Sequence, residues 1–463
     1  MKRIFLSFVV IIFSLSAYAQ NGGITESMLE RIKSSYKNTR EDRAIRNAMG
    51  HTSINVLAVN MENLAGFDTY FSDVVRSQGI TDQKNSGRCW LFSGMNVMRS
   101  KMIKDYNLPG MEFSQNYSFF WDQLEKSNLF LQGVIDTKDK PMDDKKVEWL
   151  FKNPINDGGQ FTGVADVIMK YGLVPASVMP ETFNTENTSQ ISRLIALKLR
   201  EFGLELRTMA SRKKKDRELE NRKVEMLSVI YRMLVLGFGE PPHEFEWTRT
   251  DKNGVPVERK RYIPQSFYRE FVGKDLQNDF VMLMNDPSRE YYRVYEIDYD
   301  RHVYDGRNWT YVNLPVEDIK EMAIASIKDN TMMYFSCDVG KFLDRKRGLL
   351  DIDNFDYASL MGTSFGMNKK ERVMTFASGS SHAMTLMAVD LDETGRPKKW
   401  MVENSWGATN GYRGHLIMTD KWFDEYMFRL VVDKKYVGAK ILEILKQKPI
   451  LLPPWDPMFA PEN

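Results

Sequence analysis

The hydrophobic pattern of this chain changes along its length, and this change constrains the fold more than any other feature. In the front part, apolar residues recur every three or four positions, as they do over residues 86–103, which is the spacing of one helix face. The last third instead holds short apolar or alternating runs separated by Gly, Pro and Asn, which is typical of strands. Segregated helices and strands predict an α+β fold. We expect one antiparallel sheet from Thr331–Ser336, His382–Leu391, Lys399–Glu403 and His415–Thr419.

Further helices are predicted between these two regions. Residues 160–171 form an amphipathic pattern that ends at Gly172. A long helical stretch covers residues 189–237, with an interruption expected near Gly203. Pro315 is predicted to start another helix, because proline suits the first helical turn and apolar residues follow at helical spacing.

The charge balance argues against nucleic acid and anionic membranes as the main partners. The 463 residues contain 64 Lys and Arg against 62 Asp and Glu, and without the leader residues Lys2 and Arg3 the balance is 62 to 62. The basic run at residues 212–215 is followed by acids and is predicted to be a solvated helix face. Two cysteines exclude a disulfide scaffold and a cysteine-rich metal site. No cluster of ligand residues in the sequence suggests another kind of metal site, and we expect no metal and no cofactor.

The first residues have the pattern of an export signal. Lys2 and Arg3 precede an apolar run over residues 4–15, and Ala17 and Ala19 supply the small residues of a cleavage site before Gln20. The run is shorter than the roughly 20 apolar residues of a spanning helix, although a retained anchor is the alternative. We therefore expect a soluble protein that is exported, periplasmic or secreted, and not bound to a membrane once the leader is removed.

Cys89 is the first candidate for a catalytic side chain. It stands at the predicted start of a helix, where the unpaired N–H groups and the positive end of the helix dipole stabilise a thiolate. Only the thiolate attacks carbonyl groups well. Gln83, six residues upstream, can fold back so that its side-chain NH₂ and the Cys89 N–H form an oxyanion hole. On these residues alone, the alternative is a small buried structural cysteine.

A base for this thiol is predicted at His382, which opens a strand after a Gly-Ser-Ser turn. About twenty residues later, Asn404 follows the neighbouring predicted strand and can accept the ring N–H of His382, which fixes the tautomer. Trp406 can cover this hydrogen bond from water. A lone histidine at a strand end is more often structural, but its combination with Asn404 and Trp406 favours a Cys–His–Asn catalytic set.

Gln-x5-Cys-Trp, a late His and then Asn-Ser-Trp-Gly, in this order, resemble the papain-like cysteine peptidases. More narrowly, the chain is similar to the bleomycin hydrolase and aminopeptidase C branch of that family, through blocks that run from about residue 70 to the C-terminus. These blocks are Ser86–Phe92, Ser114–Asp122, Asn156–Gln160, Cys337–Gly340, Ser381–Thr385, Val402–Gly407, Met418–Asp420 and Leu452–Met458.

The resemblance implies a two-lobed papain-like fold, with Cys89 in a helical left lobe and the histidine and asparagine in a β-sheet right lobe. It also implies that Gly158 and Gly159 belong to the substrate cleft, where missing side chains let a peptide backbone approach. Members of this branch form hexamers, so we expect a homo-oligomer whose contacts come from a helical insertion. By the same resemblance, the C-terminal tail lies in the cleft and the Asn463 carboxylate pairs with the substrate amine.

The resemblance and the patterns together predict the organisation of the chain. The predicted segments are a signal peptide (1–19), an N-terminal arm (20–70), a helical lobe (71–188), a mainly helical insertion (189–312), a β-rich lobe (313–452) and a C-terminal tail (453–463).

The expected function is a thiol-dependent aminopeptidase that acts on peptide substrates through an acyl-enzyme on Cys89. One alternative keeps the fold and changes the specificity to that of an endopeptidase or an amidase. Another alternative is a non-catalytic exported binding protein on a papain-like frame, against which the complete set of catalytic residue types argues.

Overall fold

The computed structural model describes residues 22–65, 68–108 and 110–459. The predicted leader and Asn463 lie outside these described residues. The α-helices are, in chain order, α1 (Glu26–Ser35), α2 (Arg40–Met49), α3 (Ile54–Leu57), α4 (Cys89–Tyr106), α5 (Gln115–Asp136), α6 (Lys145–Lys152), α7 (Phe161–Tyr171), α8 (Phe183–Glu186), α9 (Ser189–Ser211), α10 (Asp216–Phe238), α11 (Pro264–Phe271), α12 (Val316–Lys328), α13 (Tyr357–Met361), α14 (Lys369–Met374), α15 (Asp420–Tyr426) and α16 (Ala439–Ile444).

All strands except β1 follow helix α10 in the chain. They are β1 (Asp73–Val74), β2 (Phe245–Thr250), β3 (Pro256–Tyr262), β4 (Phe280–Met284), β5 (Arg293–Ile297), β6 (Thr310–Asn313), β7 (Met333–Cys337), β8 (Leu343–Asp344), β9 (Leu349–Leu350), β10 (His382–Leu391), β11 (Pro397–Glu403), β12 (His415–Thr419), β13 (Met427–Asp433) and β14 (Ile450–Leu452). Short 3₁₀ helices cover Asn63–Ala65, Lys434–Tyr436 and Pro457–Phe459.

One large sheet forms the frame of the β-rich part. Its order is β14-β5-β6-β4-β13-β7-β10-β11-β12-β9-β8, and β1 pairs with β10. The central strands β7, β10, β11 and β12 are neighbours with antiparallel pairing, which confirms the predicted antiparallel sheet. In the register of this sheet, His382 lies opposite Cys337 and Thr385 lies opposite Glu403.

Helix α4 is the central helix and packs against β10, β7, α5 and α7. Every residue from Cys89 to Ser100 is buried, so this part of the helix is enclosed on all sides, as the core helix of a larger domain is. The predicted helix over residues 86–103 is therefore confirmed, and Cys89 is its first residue. The helix after Pro315 is also confirmed, with Ile319, Met322 and Ile327 buried.

The long helical stretch is a pair of helices, α9 and α10, but the break does not fall at the glycine. Gly203 lies inside α9 and is buried against two rings, because an added Cβ would come within 3.0 Å of Phe151 and 3.1 Å of Phe130. The prediction of an interruption near Gly203 is wrong, since the glycine serves close packing there rather than a turn. The basic run at residues 212–215 is exposed, as predicted, but it joins the two helices and does not form a helix face.

The range 189–312 is helical as far as Phe238 and then changes character. Strands β2 and β3 form a separate antiparallel hairpin. Strand β4 pairs with β13, and β5 pairs with β6, so the large sheet already begins within this range. The assignment of residues 189–312 to an insertion with oligomer contacts stays a prediction.

Two units are distinguished within the chain. The smaller comprises Met1–Val59, described from residue 22, together with Asp356–Thr363. Thr25 and Thr39 are the N-caps of its helices α1 and α2, and their side chains accept hydrogen bonds from N–H groups of the first turn. The larger unit comprises Asn60–Phe355 and Ser364–Asn463, and it holds the sheet and the candidate site. Within the described residues, no helix combines the length and the apolar character needed to cross a bilayer.

Candidate active site

The Cys89 thiol lies between the start of helix α4 and strand β10. As the first residue of α4, Cys89 stands at the positive end of the helix, where the N–H groups of the first turn point out of the helix end. The Ala383 N–H, next to His382 on β10, donates to Cys89 Sγ at 3.4 Å. Both the helix end and this hydrogen bond favour the thiolate over the thiol. The structure therefore brings the sulfur beside the residue that follows the predicted base.

His382 and Asn404 meet as the sequence predicts. His382 Nε2 lies 2.9 Å from Asn404 Oδ1, and because an amide oxygen can only accept, Nε2 carries the proton. The Ser405 N–H also donates to Asn404 Oδ1 at 2.8 Å and holds this amide in place. The Trp406 ring lies over the imidazole, with ring centroids 4.8 Å apart and an interplanar angle of 31°. This arrangement fixes the tautomer of His382, so Nδ1 is the nitrogen that can exchange a proton with a substrate or a thiol.

Gln83 lies at the same junction, and its side-chain amide is held at both ends. Ser405 Oγ donates to Gln83 Oε1, and Gln83 Nε2 donates to the Ser86 carbonyl, each at 2.6 Å. The Gln83 N–H also donates to the Ser405 carbonyl at 2.8 Å. An NH₂ group has two N–H donors, so the contact with Ser86 leaves the second for an oxyanion. Its role in an oxyanion hole stays a prediction that this position permits.

Arg88 precedes Cys89, but its charge is directed elsewhere. The guanidinium is fully buried, lies over the Phe92 and Phe119 rings at 5.2 and 5.3 Å, and pairs with Glu181 at 2.9 Å. Because Glu181 compensates this cation, the helix end and the Ala383 N–H are the clearer sources of positive potential at the sulfur.

Gly158 and Gly159 are buried and lie in a loop that is bonded to Lys126 of helix α5. Lys126 Nζ donates to the Gly158 carbonyl at 2.6 Å and to the Asn156 carbonyl at 3.1 Å. A Cβ added to Gly159 would come within 2.4 Å of His302 and 2.8 Å of Trp90. Packing against these two rings thus requires a glycine at position 159, whereas the resemblance attributes it to a close substrate approach. Contact of both glycines with substrate stays a prediction.

The candidate site lies within a match to a known protein family. The sequence pattern of the peptidase C1-like family matches residues 23–459. The chain belongs to this family.

Relatives with established names cover most of the chain. Aminopeptidase C of Lactobacillus delbrueckii subsp. lactis is 39% identical over 398 residues, which are 85% of this chain and 88% of the relative. Bleomycin hydrolase of Rattus norvegicus is 40% identical over 415 residues, 87% of this chain and 91% of the relative. A crystal structure of PepW from Lactobacillus rhamnosis HN001 is 36% identical with a TM-score of 0.91, and the match covers 96% of this chain and 100% of that one.

As a member of the peptidase C1-like family, the protein is a cysteine peptidase with the α+β papain-like fold, and the predictions of fold, family and enzyme class are confirmed. The geometry around Cys89 supports the predicted roles of the individual site residues, and kinetic measurements on substituted proteins can test these roles.

A buried charged cluster behind the Gly158–Gly159 loop of this peptidase escaped the sequence analysis. His302 Nδ1 contacts Asp122 Oδ1 at 2.5 Å, and Lys126 Nζ lies 3.0 Å from Asp122 Oδ2. Burial would raise the pKa of Asp122, but Lys126 and His302 outweigh it and lower that pKa. Burial, with the Lys126 charge, lowers the pKa of His302 despite Asp122. The cluster therefore holds an ionised carboxylate and a neutral imidazole under the loop.

The sequence carries only weak signals for this cluster. Asp122 is the last residue of Ser114–Asp122, one of the blocks that carry the family resemblance, and His302 is one of five histidines. The two residues are 180 positions apart. No local motif connects them. His302 also meets the Trp90 ring edge-on, with centroids 4.8 Å apart, so the cluster reaches the residue that follows Cys89.

The base of the C-terminal tail, which we define as residues 453–459, is fixed to the sheet. Arg429 donates to the Met458 carbonyl at 2.5 Å, and Arg289 pairs with Asp456. A cavity of about 410 Å³ lies between this tail base, residues 153–160 and residues 297–302. Asn463, predicted to reach the substrate, lies outside the described residues.

Within the part of the chain that the structure describes, no group of three or more His, Cys, Asp or Glu side chains is arranged to hold a metal ion.

Proposed function

We propose that this protein is a thiol-dependent aminopeptidase that works through an acyl-enzyme on Cys89. The single observation that carries the mechanism is the 2.9 Å contact between His382 Nε2 and Asn404 Oδ1, one residue from the N–H that binds Cys89 Sγ. The aminopeptidase specificity is supported by relatives named aminopeptidase C and aminopeptidase G, which are 39% and 37% identical to this chain.

The first half of the reaction forms the acyl-enzyme. His382 Nδ1 takes the Cys89 proton, and the resulting thiolate attacks the carbonyl carbon of the peptide bond. The carbonyl oxygen becomes an oxyanion, which the Cys89 N–H and the second Gln83 Nε2–H stabilise. As the C–N bond breaks, the imidazolium returns its proton to the leaving amine. Asn404 keeps Nε2 protonated and holds the ring through these steps.

The second half releases the acyl group. A water gives a proton to His382 Nδ1 as its oxygen attacks the thioester carbon. The C–S bond then breaks, the acid product leaves, and the thiol is restored with the proton from His382. Trp406 lies over the imidazole and excludes water from the side of the Asn404 hydrogen bond.

The chain contains a matched pair of cysteines for a test of this proposal. Cys337 is buried on β7, directly opposite His382, so it is a second thiol on the neighbouring strand. Cys89→Ala should abolish turnover of aminoacyl-fluorogenic substrates and iodoacetamide labelling, whereas Cys337→Ala should keep both. Full turnover in Cys89→Ala would contradict the proposal and favour a non-catalytic role for this thiol.

Removal of the last residues separates an aminopeptidase from an endopeptidase or amidase on the same fold. If residues 461–463 restrict the cleft to free N-termini, their removal should allow cleavage inside peptides with blocked N-termini. Mass spectrometry of the digests would show this change as internal fragments. An unchanged release of single N-terminal residues by the truncated protein would show that these residues do not set the specificity.

Export and assembly are further proposals. The Lys2-Arg3 start, the apolar run and the Ala17-Tyr18-Ala19 site support cleavage before Gln20. N-terminal sequencing of the protein from an exporting host should begin at Gln20, and retention of Met1 would contradict export by cleavage. The family resemblance supports a homohexamer, which light scattering would give as six times the chain mass, and a monomer mass would rule it out.

A further inference from the structure

A fully buried ion pair connects the helix of Cys89 to the strand that leads into Asn404. Arg99 lies on α4, ten residues after Cys89, and Glu403 is the last residue of β11. Arg99 Nη2 and Glu403 Oε1 are 2.7 Å apart, and the two side chains are 2% and 0% exposed. The contact spans 304 positions of sequence, so it joins segments that only the tertiary fold brings together.

The same carboxylate also ties down the segment that leads to Gln83. Ser77 Oγ donates to Glu403 Oε2 at 2.5 Å, and Arg99 Nη2 donates to the Gly79 carbonyl at 3.1 Å. Further along this segment, Gln83 is bonded to Ser405. Three segments, which carry Gln83, Cys89 and Asn404, therefore meet at one buried carboxylate.

The energetics of this pair indicate a role in geometry rather than in stability alone. Burial of two charges is costly, and well-packed apolar side chains often stabilise a fold as well as a buried ion pair does. Within the described residues, Arg99 Nε and Nη1 have no hydrogen-bond partner, so Glu403 is the carboxylate that compensates this cation. What the pair adds over an apolar contact is a fixed direction and distance between the helix and the strand.

We propose that Arg99 and Glu403 are positioning residues for the peptidase reaction. This inference rests on the proposed function, because it acts through Asn404 and Cys89. Glu403 holds the end of β11, so that Asn404 Oδ1 stays within bonding distance of His382 Nε2, and Arg99 fixes the Cys89 helix to the same point. A displacement of about 1 Å in a catalytic geometry can cost about 100-fold in rate.

Removal of the Arg99 and Glu403 charges, singly and together, distinguishes a positioning role from a contribution to folding stability. Glu403→Gln and Arg99→Met each leave one buried partner uncompensated and should lower the stability to denaturant. The double variant Arg99→Met/Glu403→Gln removes both charges of this pair and should regain stability. We expect its kcat to stay about 100-fold below that of the wild type with KM little changed. The pH midpoint of iodoacetamide alkylation at Cys89 should also stay raised, because a displaced His382 stabilises the thiolate less.

A second variant covers the case in which the double variant does not fold. Glu403→Asp keeps the charge but shortens the side chain by one methylene, so it should fold and still lower kcat. Asp390→Asn is the matched control. Asp390 lies on β10, is 2% exposed and pairs with Lys398 of β11 at 2.7 Å. This pair lies near the end of the β10–β11 hairpin that is away from Glu403. Asp390→Asn should lose stability and keep the wild-type kcat and alkylation midpoint.

The outcomes distinguish this inference from the proposed function. Wild-type kcat and alkylation midpoint in the folded double variant or in Glu403→Asp would show that the pair is structural only and overturn the inference. Wild-type protein without Cys89-dependent turnover would overturn the proposed function itself. A low kcat in the stable double variant, with the control unchanged, would support the positioning role.

Discussion

His382 Nε2 donates to Asn404 Oδ1 at 2.9 Å, where strand β10 begins and β11 has just ended. The two residues are 22 positions apart, and the hairpin of β10 and β11 brings them together. The contact is buried, since the two residues are 2% exposed each. It sets which imidazole nitrogen faces the thiol and the substrate.

Loss of the Asn404 amide should slow catalysis without unfolding the protein. In Asn404→Ala, Nε2 loses its acceptor, and we expect kcat to fall about ten- to hundredfold, which corresponds to about 1–3 kcal/mol. Steady-state kinetics on an aminoacyl substrate measures this change. Asn354→Ala is the control, because Asn354 is a buried asparagine that bonds the Phe342 and Leu349 carbonyls away from the site. Equal kcat in Asn404→Ala and the wild type would contradict the assignment.

Loss of the Gln83 side chain should remove one oxyanion donor. We expect Gln83→Ala to lower kcat about 100- to 1000-fold with a small change in KM, because the oxyanion exists only after attack. Ser405→Ala serves as the control, since it removes only the hydroxyl that holds Gln83 Oε1. Because the Ser405 hydroxyl only holds the amide, its removal should lower kcat less than removal of Gln83 does. Unchanged kcat in Gln83→Ala would contradict the role of this side chain as an oxyanion donor.

Much of the site could be predicted from the sequence because its signals are local. Cys89 at a helix start and the Asn404–Trp406 segment after a strand are short patterns that indicate catalysis for a local physical reason. In the structure, His382 begins β10, which pairs with β11 just before Asn404. The short apolar or alternating runs also predicted that β7, β10, β11 and β12 are strands of one antiparallel sheet.

The features that were missed depend on contacts between distant segments. Gly203 looks like a helix break until the Phe151 and Phe130 rings against it are known. The Asp122–His302 pair and the Arg99–Glu403 pair join residues 180 and 304 positions apart. Charged residues are rarely buried, so the sequence alone favours a surface position for Asp122, Arg99 and Glu403.

A methyl group at Gly159 should destabilise the protein. In Gly159→Ala the new Cβ would lie 2.4 Å from His302 and 2.8 Å from Trp90, and overpacking of this kind costs about 1–3 kcal/mol. Denaturant unfolding measures the loss. Gly340→Ala is the control, because a Cβ there meets nothing within 4 Å. Equal stability of the two variants would show that the rings move aside without cost.

The neutral His302 should make the protein less stable in mild acid. Burial and the Lys126 charge lower the pKa of His302 below its ordinary value of 6.5, so below that pH the unfolded chain binds a proton that the folded protein does not. Stability should then fall as the pH drops through this range, by up to about 1.4 kcal/mol per pH unit, until the lowered pKa is reached. His302→Gln cannot bind this proton and should show a flatter stability profile.

Denaturant unfolding of both proteins between about pH 5 and 7.5 gives the comparison. Asp166 titrates in the same range, because burial raises its pKa to about 6, but its carboxylate is present in both proteins and cancels in the difference. Identical slopes for wild type and His302→Gln would contradict a neutral buried His302.

The central claim is that Cys89 carries the acyl group, and a trapped intermediate tests it most directly. The protein would be mixed with an aminoacyl ester, quenched in acid within the first turnover and mapped by peptide mass spectrometry. The account predicts the acyl mass on the peptide that contains Cys89, its absence in Cys89→Ala, and an unmodified Cys337. An acyl mass on Cys337, or steady turnover by Cys89→Ala without an adduct, would contradict it.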